Sequence, residues 1–371
     1  MWRLNADLRW SRTSLLTILG RAGRFFIGHL ADVLFGWGSV FSAVSLASAL
    51  VIAVASLAWT RVRQGRGAPS MKLLIRALFP RRLLKCASTH ADFGLFLFNV
   101  FPPMILFGWI IVSATQIGGL CAHGLNGLFG ERARANIDPG AARAIATLAL
   151  FLAYEFGYWL DHYLSHKVPF LWEFHKVHHT AEVLSPLTAF RVHPVDTLVF
   201  ANISSLILGM TAGALDYLFG GSVSPFTLSG SNIVLVAFIF LTVHLQHSHI
   251  WISFTGLLGR IFLSPAHHQI HHSADPIHFN RNFGSCLSVW DWAFGTLMVP
   301  ERQRQRLRFG AELRPGSPSA HSVTGVLIAP FLEALRALIS QLRGKSPVRA
   351  ERAARTKLSQ GAASAFSSAH K

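Results

Sequence analysis

The chain has 371 residues, of which 51% are hydrophobic and only 14% are Asp, Glu, Lys or Arg. An average soluble domain carries about 25% charged residues, so this composition argues against an ordinary soluble protein and favours one that faces a bilayer. Lys and Arg outnumber Asp and Glu by 34 to 17. These basic residues cluster beside apolar runs, and no aromatic-plus-basic nucleic-acid module is present. We therefore expect a membrane protein that binds no nucleic acid.

Five apolar segments are candidates to cross a bilayer as helices, which takes about 20 residues. In chain order they are 40–59, 93–116, 141–159, 195–217 and 228–243. The third segment continues into the polar sequence DHYLSH. This pattern predicts an all-α, polytopic membrane protein with four to five transmembrane helices and a cytoplasmic helical cap that holds the polar residues beyond the span ends.

The distribution of Lys and Arg predicts the orientation of these spans. A dense basic segment follows the first span, from Arg61 to Lys85, and the positive-inside rule places it in the cytoplasm. Counting spans from there puts the end of the third span, both ends of the hairpin over 195–243 and the C-terminus on that side. We expect a multi-pass integral membrane protein whose histidine-rich region and C-terminus are cytoplasmic.

The chain divides into four predicted regions. Residues 1–90 form an N-terminal membrane-associated region with the first transmembrane helix and a basic cytoplasmic loop, and residues 91–300 form the histidine-rich domain. Residues 301–343 are an amphipathic C-terminal region, with a helix over 323–343 that suits a membrane surface. Residues 344–371 are basic and rich in Ala and Ser, which is typical of a disordered tail.

Fourteen of the 19 histidines lie between His162 and His278. Most fall in four clusters, which read His162-xxx-His166, His175-xx-His178-His179, His244-xx-His247-x-His249 and His268-xx-His271-His272. On a helix, residues three and four apart share a face, so members of one cluster can hold one ion. The predicted orientation brings all four clusters to the same face of the membrane and so predicts a single site.

Imidazole ligands suit Zn, Cu, Fe and Ni, so the clusters alone leave the metal open. About eight ligands are too many for one ion, and two ions with four or five histidines each would keep positions free for oxygen and substrate.

The roles of His244, His249 and His267 stay open between ligand, outer contact and polar interface, and His278 fits an outer contact. Carboxylates near the clusters are candidates to accept the second imidazole N–H; they are Asp161, Glu173, Asp196, Asp275 and Asp291. Glu155 lies inside a span, where an ionisable residue is a functional candidate.

The stretch SPAHHQIHHSADPIHFNRNFGSCLSVWDWAFGTL resembles the fatty acid hydroxylase superfamily, also called the sterol desaturase family. That family shows a PxxHxxHHS run followed by NYG and WDxxFGT. The upstream sequences DHYLSHKVPFLWEFHKVHHT, FRVHPVD and QHSHI are similar to its other boxes, so the resemblance covers about residues 145–300. Two positions depart from the pattern: His249 stands where Asn or Gly is common, and Phe283 replaces the usual Tyr.

The resemblance implies a membrane enzyme with two iron ions that uses O₂ to hydroxylate or desaturate a lipid, such as a sterol or a fatty acyl chain. It implies the ligands His162, His166, His175, His178, His179, His193, His247, His268, His271 and His272. Asp161, Asp196, Asp275 and Asp291 would then support these ligands from outside. The sequence contains no cytochrome, flavin or iron–sulfur motif, so a ferredoxin or a cytochrome with its reductase would supply the electrons.

Two other classes of function fit parts of the pattern. A histidine-rich membrane metal transporter would hold its ligands at mid-membrane depth, whereas these clusters lie at and beyond the span ends. A membrane zinc hydrolase needs about three protein ligands and a general base. The ligand count here is higher, and no HExxH is present.

Overall fold

The structure, a computed structural model, describes residues 12–39, 41–100, 108–313 and 319–343. This part of the chain is mostly helical. Its helices are α1 (Arg12–Phe35), α2 (Ala43–Arg63), α3 (Met71–Leu78), α4 (Arg81–Lys85), α5 (Ala87–Val100), α6 (Ala114–Phe129), α7 (Pro139–Lys167), α8 (Pro169–His179), α9 (Pro194–Phe219), α10 (Ile233–Gln246), α11 (Gly256–Ile261), α12 (Pro265–His271), α13 (Val289–Ala293) and α14 (Val323–Leu342). Short 3-10 turns lie at Gly108–Ile110, Pro186–Phe190 and Pro276–His278.

A small antiparallel hairpin precedes α10. Strands β1 (Thr227–Leu228) and β2 (Ser231–Asn232) pair Thr227 with Asn232 and Leu228 with Ser231. The turn residues Ser229 and Gly230 both have positive φ, as a type I′ hairpin turn requires. The hairpin occupies the start of the predicted fifth span. The helix that follows is therefore only the shorter apolar segment Ile233–Gln246.

Three helices of the described chain are long and apolar enough to cross a membrane, namely α2, α9 and α14. The helices α2 and α9 match the predicted first and fourth spans. The third prediction lies within the 29-residue helix α7. The second is not a single helix in the described chain, because α5 ends at Val100 and α6 begins at Ala114; residues 101–107 of that segment lie outside the described residues. The number of spans remains a prediction.

The C-terminal helix α14 is long and apolar enough to cross a membrane, and its position on the membrane surface stays a prediction. Its face with Gly325, Val326 and Ala334 is buried and packs against α8. Its other side is also apolar, since Phe331 and Leu335 are exposed, so α14 has the length and composition of a span rather than a strongly amphipathic pattern. The predicted disordered tail, residues 344–371, lies outside the described residues.

Proline sets the start of each helix that leads into the centre of the fold. The helix α7 ends at Lys167, and Val168 is extended before Pro169 opens α8, as expected for a residue that precedes proline. Pro194 opens α9 and Pro265 opens α12 in the same way. The missing N–H of proline costs nothing in the first turn of a helix. These breaks let the chain reverse sharply, so α8 folds back against the end of α7.

Small residues allow α9 to pack closely against α6. A Cβ added at Gly213 would lie 2.2 Å from the carbonyl oxygen of Gly118, and one added at Gly209 would lie 2.6 Å from that of Ala114. Such glycine contacts are common where apolar helices cross without a strong hydrophobic driving force. The helix α7 packs on the same α9, so α6, α7 and α9 form one group whose α7 and α9 ends approach α8.

Candidate metal centre

Nine histidines meet in two adjoining groups at the end of α7. The first group is His162, His166, His175, His179 and His271, and the second is His178, His247, His268 and His272. Within each group one ring nitrogen per residue lies within 4.8 Å of all the others. All nine side chains are buried except His166, which is half-buried.

Each HxxHH box contributes to both groups. In α8, His175 and His179 belong to the first group while His178 belongs to the second; in the box at α12, His271 belongs to the first and His268 and His272 to the second. Neighbouring residues of a helix project about 100° apart, so consecutive histidines cannot serve the same ion. A box was expected to serve one ion from one helix face, whereas the structure divides the histidines of each HxxHH box between the two groups.

Backbone carbonyls fix the tautomer of two histidines in the first group. The Nδ1–H of His162 donates to the oxygen of Phe283 and that of His271 to the oxygen of Arg281, both at 2.8 Å. A carbonyl oxygen can only accept, so in each neutral ring Nε2 carries a lone pair. Both Nε2 atoms are buried and have no hydrogen-bond partner among the described residues. Two inward-facing lone pairs without a proton donor suit a cation.

The second group has nitrogens spaced as they are around a metal ion. Nε2 of His247 lies 3.1 Å from that of His178, 3.0 Å from that of His268 and 3.3 Å from that of His272. One ring N–H cannot serve three such neighbours. With metal–nitrogen bonds of about 2.1 Å, adjacent ligands lie about 3.0 Å apart in octahedral and about 3.4 Å apart in tetrahedral geometry. The residues present therefore fit a metal ion better than a hydrogen-bonded cluster.

Burial keeps these imidazoles neutral. Desolvation lowers the pKa of His178, His268 and His272 well below the ordinary value of 6.5, and the neighbouring histidines lower it further. The pKa of His247 falls to about 3, mainly through burial. A neutral imidazole is the form that binds metal. The rings are ready to bind without first losing a proton at neutral pH.

Of the predicted supporting carboxylates, Asp196 contacts a histidine of the two groups directly. Its Oδ2 lies 3.0 Å from Nδ1 of His175, which orients that ring. Asp291 acts one step further out: it accepts the N–H groups of Phe283 and Gly284 at 2.9 and 2.8 Å. It thereby holds the carbonyl of Phe283 that accepts from His162.

Asp161 and Asp275 have no such contact among the described residues. Asp161 is buried, and its Oδ1 has no hydrogen-bond partner among them. Asp275 is exposed and accepts from the N–H of Ile277 in a short turn. Glu155 accepts the N–H groups of Cys286 and Leu287, both at 2.8 Å, and so fixes the loop after α12.

The structure does not bring His193 to either group. Its Nδ1 accepts from the N–H of Val195 at 3.1 Å, so it serves as the N-cap of α9, and its Nε2 donates to the carbonyl of Leu327 in α14 at 3.1 Å. Both ring nitrogens are thus occupied.

The histidines that the sequence did not assign as ligands also lie outside the two groups. His249 donates to Ala77 at 2.6 Å, His267 accepts from Ser264 at the start of α12, and His278 contacts Ser273 at 2.9 Å. His244 is buried in α10, apart from both groups. Phe283, at the position where Tyr is usual, packs its ring against His162 and His166.

Sequence reasoning missed a buried ion pair that holds α8. Arg191 is fully buried, and its Nη1 donates to Oδ1 of Asp92 in α5 at 2.6 Å. Its Nε donates to the carbonyl of Val177 at 3.1 Å, and its Nη2 donates to the carbonyl of Ala320. The pair joins α5, the C-terminal end of α8 and the segment before α14. The sequence signal was a lone Asp before an apolar segment and an Arg two residues before His193.

The segment that carries the clustered histidines is similar to known proteins. The family model for fatty acid hydroxylases matches residues 147–296, in agreement with the predicted extent. Ornithine lipid hydroxylase OlsE of Rhizobium tropici is 34% identical over 155 residues, which are 42% of each chain. Alkylglycerol monooxygenase of Xenopus tropicalis is 28% identical over 154 residues, or 42% of this chain and 30% of that protein.

A third relative is a cholesterol 25-hydroxylase-like protein of Danio rerio, 28% identical over 164 residues, or 43% of this chain and 58% of that protein. No solved structure matches the chain. The chain spans less than half the length of the first two relatives. All nine clustered histidines lie inside the matched segment. The segment over residues 147–296, which carries the clustered histidines, is thus similar to the fatty acid hydroxylases.

Proposed function

We propose that the protein is a membrane-bound oxygenase that uses O₂ and external electrons to hydroxylate a lipid at two iron ions. The observation that supports this proposal is the pair of buried histidine groups. Nine imidazoles converge on two adjoining positions, and no donor among the described residues serves Nε2 of His162 or His271. The similar proteins named as a lipid hydroxylase and a monooxygenase support lipid hydroxylation over desaturation.

We assign one ion to the first histidine group and the other to the second. Iron is the metal we favour, since the superfamily resemblance implies it and imidazoles suit it. When bound, the two irons would supply the O₂ activation that no amino-acid side chain provides. We leave His193 out of the ligand set because both of its nitrogens are engaged elsewhere.

The remaining residues of the site orient the ligands and exclude water. Carbonyls of Phe283 and Arg281 hold two rings in one tautomer, and Asp196 does the same for His175. Partners of this kind typically change metal affinity or activity by about 10- to 100-fold. The apolar ring of Phe283 lies against the first group and keeps that side dry.

We further propose that the metal centre faces the cytoplasm in a multi-pass protein. The basic segment after α2 supports this orientation. A soluble ferredoxin, or a cytochrome with its reductase, would reach the centre from that side. The lipid substrate would approach from the bilayer.

The test is metal analysis of the purified full-length protein, together with lipid analysis of a deletion strain under ¹⁸O₂. We expect about two irons per chain. We also expect a lipid with one ¹⁸O-labelled hydroxyl group that is present in the parent strain and absent from the deletion strain. His272→Ala should lower the iron content and abolish the labelled product. His249→Gln is the matched control, because His249 contacts Ala77 rather than the two groups.

Two results would contradict the proposal: a pure, folded protein without iron, and a lipid profile that deletion leaves unchanged. A transporter would instead move metal across proteoliposomes at a rate that depends on the histidine groups.

A further inference from the structure

A large open cavity is lined in part by residues that flank two of the histidine boxes. Its volume is about 1860 Å³. Thr180, which follows the box of α8, and His249, which follows His247 by two residues, both line it. The cavity contains none of the nine clustered histidines. It is a separate site whose function the metal centre does not explain.

Arginines from the N-terminal third of the chain form one wall. Arg61 and Arg63 lie in the last turn of α2, Arg66 follows that helix, and Arg76 and Arg82 belong to α3 and α4. The Nε of Arg61 is buried without a hydrogen-bond partner among the described residues. A buried guanidinium nitrogen of this kind calls for an acceptor.

Three more arginines come from the segment after the metal-centre domain. Arg302, Arg304 and Arg308 form a second wall of the cavity. The segment with these arginines packs against the residues that follow the box at α12, since the N–H of Ala274 donates to the carbonyl of Arg308 at 2.7 Å. Two parts of the chain more than 200 residues apart thus converge with positive charge on one cavity.

Little negative charge balances these arginines. Among the lining residues in the described chain Glu182 is the one carboxylate, and its Oε1 already contacts Nε2 of His321 at 3.1 Å. Within the described ranges, none of the eight lining arginines forms an ion pair with a carboxylate. The concave surface therefore carries positive charge that the lining residues do not balance.

Two features beside the cavity are typical of a membrane interface. Arg63 is stacked on the exposed Trp59 at the end of the candidate span α2, and such residues are enriched at membrane interfaces. The short helix α3 exposes the apolar side chains Met71 and Ile75 beside its own Arg76, a pattern typical of a helix that lies in the interface. Apolar surface and unpaired cations are thus adjacent.

We propose that this cavity binds the phosphate headgroup of an anionic phospholipid. Guanidinium groups match phosphate oxygens with paired N–H donors, and basic pockets beside membrane spans suit anionic headgroups. The acyl chains would lie along α2 and the apolar side of α3. A protein electron carrier is the less favoured occupant, because the arginines line a concavity rather than a flat face. The proposal does not depend on the oxygenase activity.

The test uses full-length protein in a neutral detergent, with dioctanoyl phosphatidylglycerol as the probe and dioctanoyl phosphatidylcholine and inorganic phosphate as comparisons. Binding is measured by calorimetry and by the rise in unfolding temperature. We expect saturable binding of phosphatidylglycerol and weak binding of the other two. Arg63→Gln combined with Arg304→Gln removes one arginine from each wall, and each lost contact should weaken binding by about tenfold.

The matched control removes two arginines far from the cavity. Arg132 and Arg134 lie beside the C-terminal end of α9, a helix about 39 Å long, so Arg132→Gln with Arg134→Gln should bind phosphatidylglycerol as the unmodified protein does. Iron content and lipid-free unfolding temperature report whether each variant is folded. If the first pair misfolds, Arg76→Gln with Arg308→Gln replaces it.

Four outcomes would overturn the proposal. The first is equal affinity for phosphatidylglycerol and phosphatidylcholine, and the second is equal affinity in the cavity variants and the control. The third is inorganic phosphate binding as tightly as the lipid, which would indicate a site for a free anion. The fourth is an acidic ferredoxin that binds through the same arginines and is not displaced by phosphatidylglycerol, which would indicate a protein docking surface.

Discussion

At the scale of single residues, the centre depends on which nitrogen of each ring carries the proton. His162, His271 and His175 all direct Nδ1 toward a fixed oxygen, and this leaves Nε2 free to bind. His193 shows the opposite case, since a backbone N–H and a carbonyl occupy its two nitrogens. Its position in the motif FRVHPVD suggested a ligand. Sequence spacing cannot reveal which atoms a ring meets after folding.

Replacing Asp196 by Asn tests the role of an outer carboxylate. The amide keeps the shape but loses the charge that holds the Nδ1 proton of His175. Such changes typically weaken metal affinity by about 10- to 100-fold. Competition with a chelator measures the affinity, and Asp275→Asn, at an exposed site, is the control. Equal affinities in the two variants would show that Asp196 has no part in binding.

At the scale of elements, much of the arrangement follows from prolines and box spacing. Pro169 and Pro265 open the helices that carry the HxxHH boxes, and both starts could be predicted from the sequence. The division of each box between the two histidine groups could not be predicted, because it depends on which box lies opposite. The role of Arg191 was also hidden, since it requires Asp92 about 100 residues earlier to be buried beside it.

Replacing Arg191 by Lys tests whether this ion pair positions α8. A lysine cannot reach Asp92, Val177 and Ala320 together as the guanidinium does, so polar groups would be left buried without partners. Disrupting a buried pair typically costs about 3–5 kcal/mol. We expect a clear fall in the unfolding temperature in detergent and a loss of bound iron.

The control is Arg336→Lys, at an exposed arginine beside Glu333 in α14. Lysine keeps a positive charge beside Glu333, so this variant should unfold almost as the unmodified protein does. Double replacement of Arg191 and Asp92 by Met and Leu should recover part of the stability, because it removes both buried charges. If Arg191→Lys leaves stability and iron content unchanged, the pair does not position α8.

At the scale of the whole molecule, composition correctly indicated a helical protein with membrane spans, but the number of spans depends on local breaks. Ser229 and Gly230 turn the start of the predicted fifth span into a hairpin. The sequence of α14 suggested a surface helix. Its exposed side is apolar as well, however, and its length and composition suit a span. Hydropathy averages over a window and does not register such turns or the neighbour that covers one face.

The two histidine groups also join parts of the chain that lie far apart. Their histidines come from α7, α8, the end of α10 and α12, so bound metal would connect these segments. A ligand that binds only the folded state stabilises it by about 4 kcal/mol when present at a thousand times its dissociation constant. Removing the metal with a chelator should therefore lower the unfolding temperature of the full-length protein, and added Fe²⁺ should restore it.

Two variants test this dependence on metal. The side chain of His278 contacts Ser273 outside both groups, so His278→Gln should keep the dependence, whereas His268→Ala should lose most of it. An unfolding temperature that is the same with and without metal would mean that the histidines pack stably alone, and that the ions do not hold these segments together.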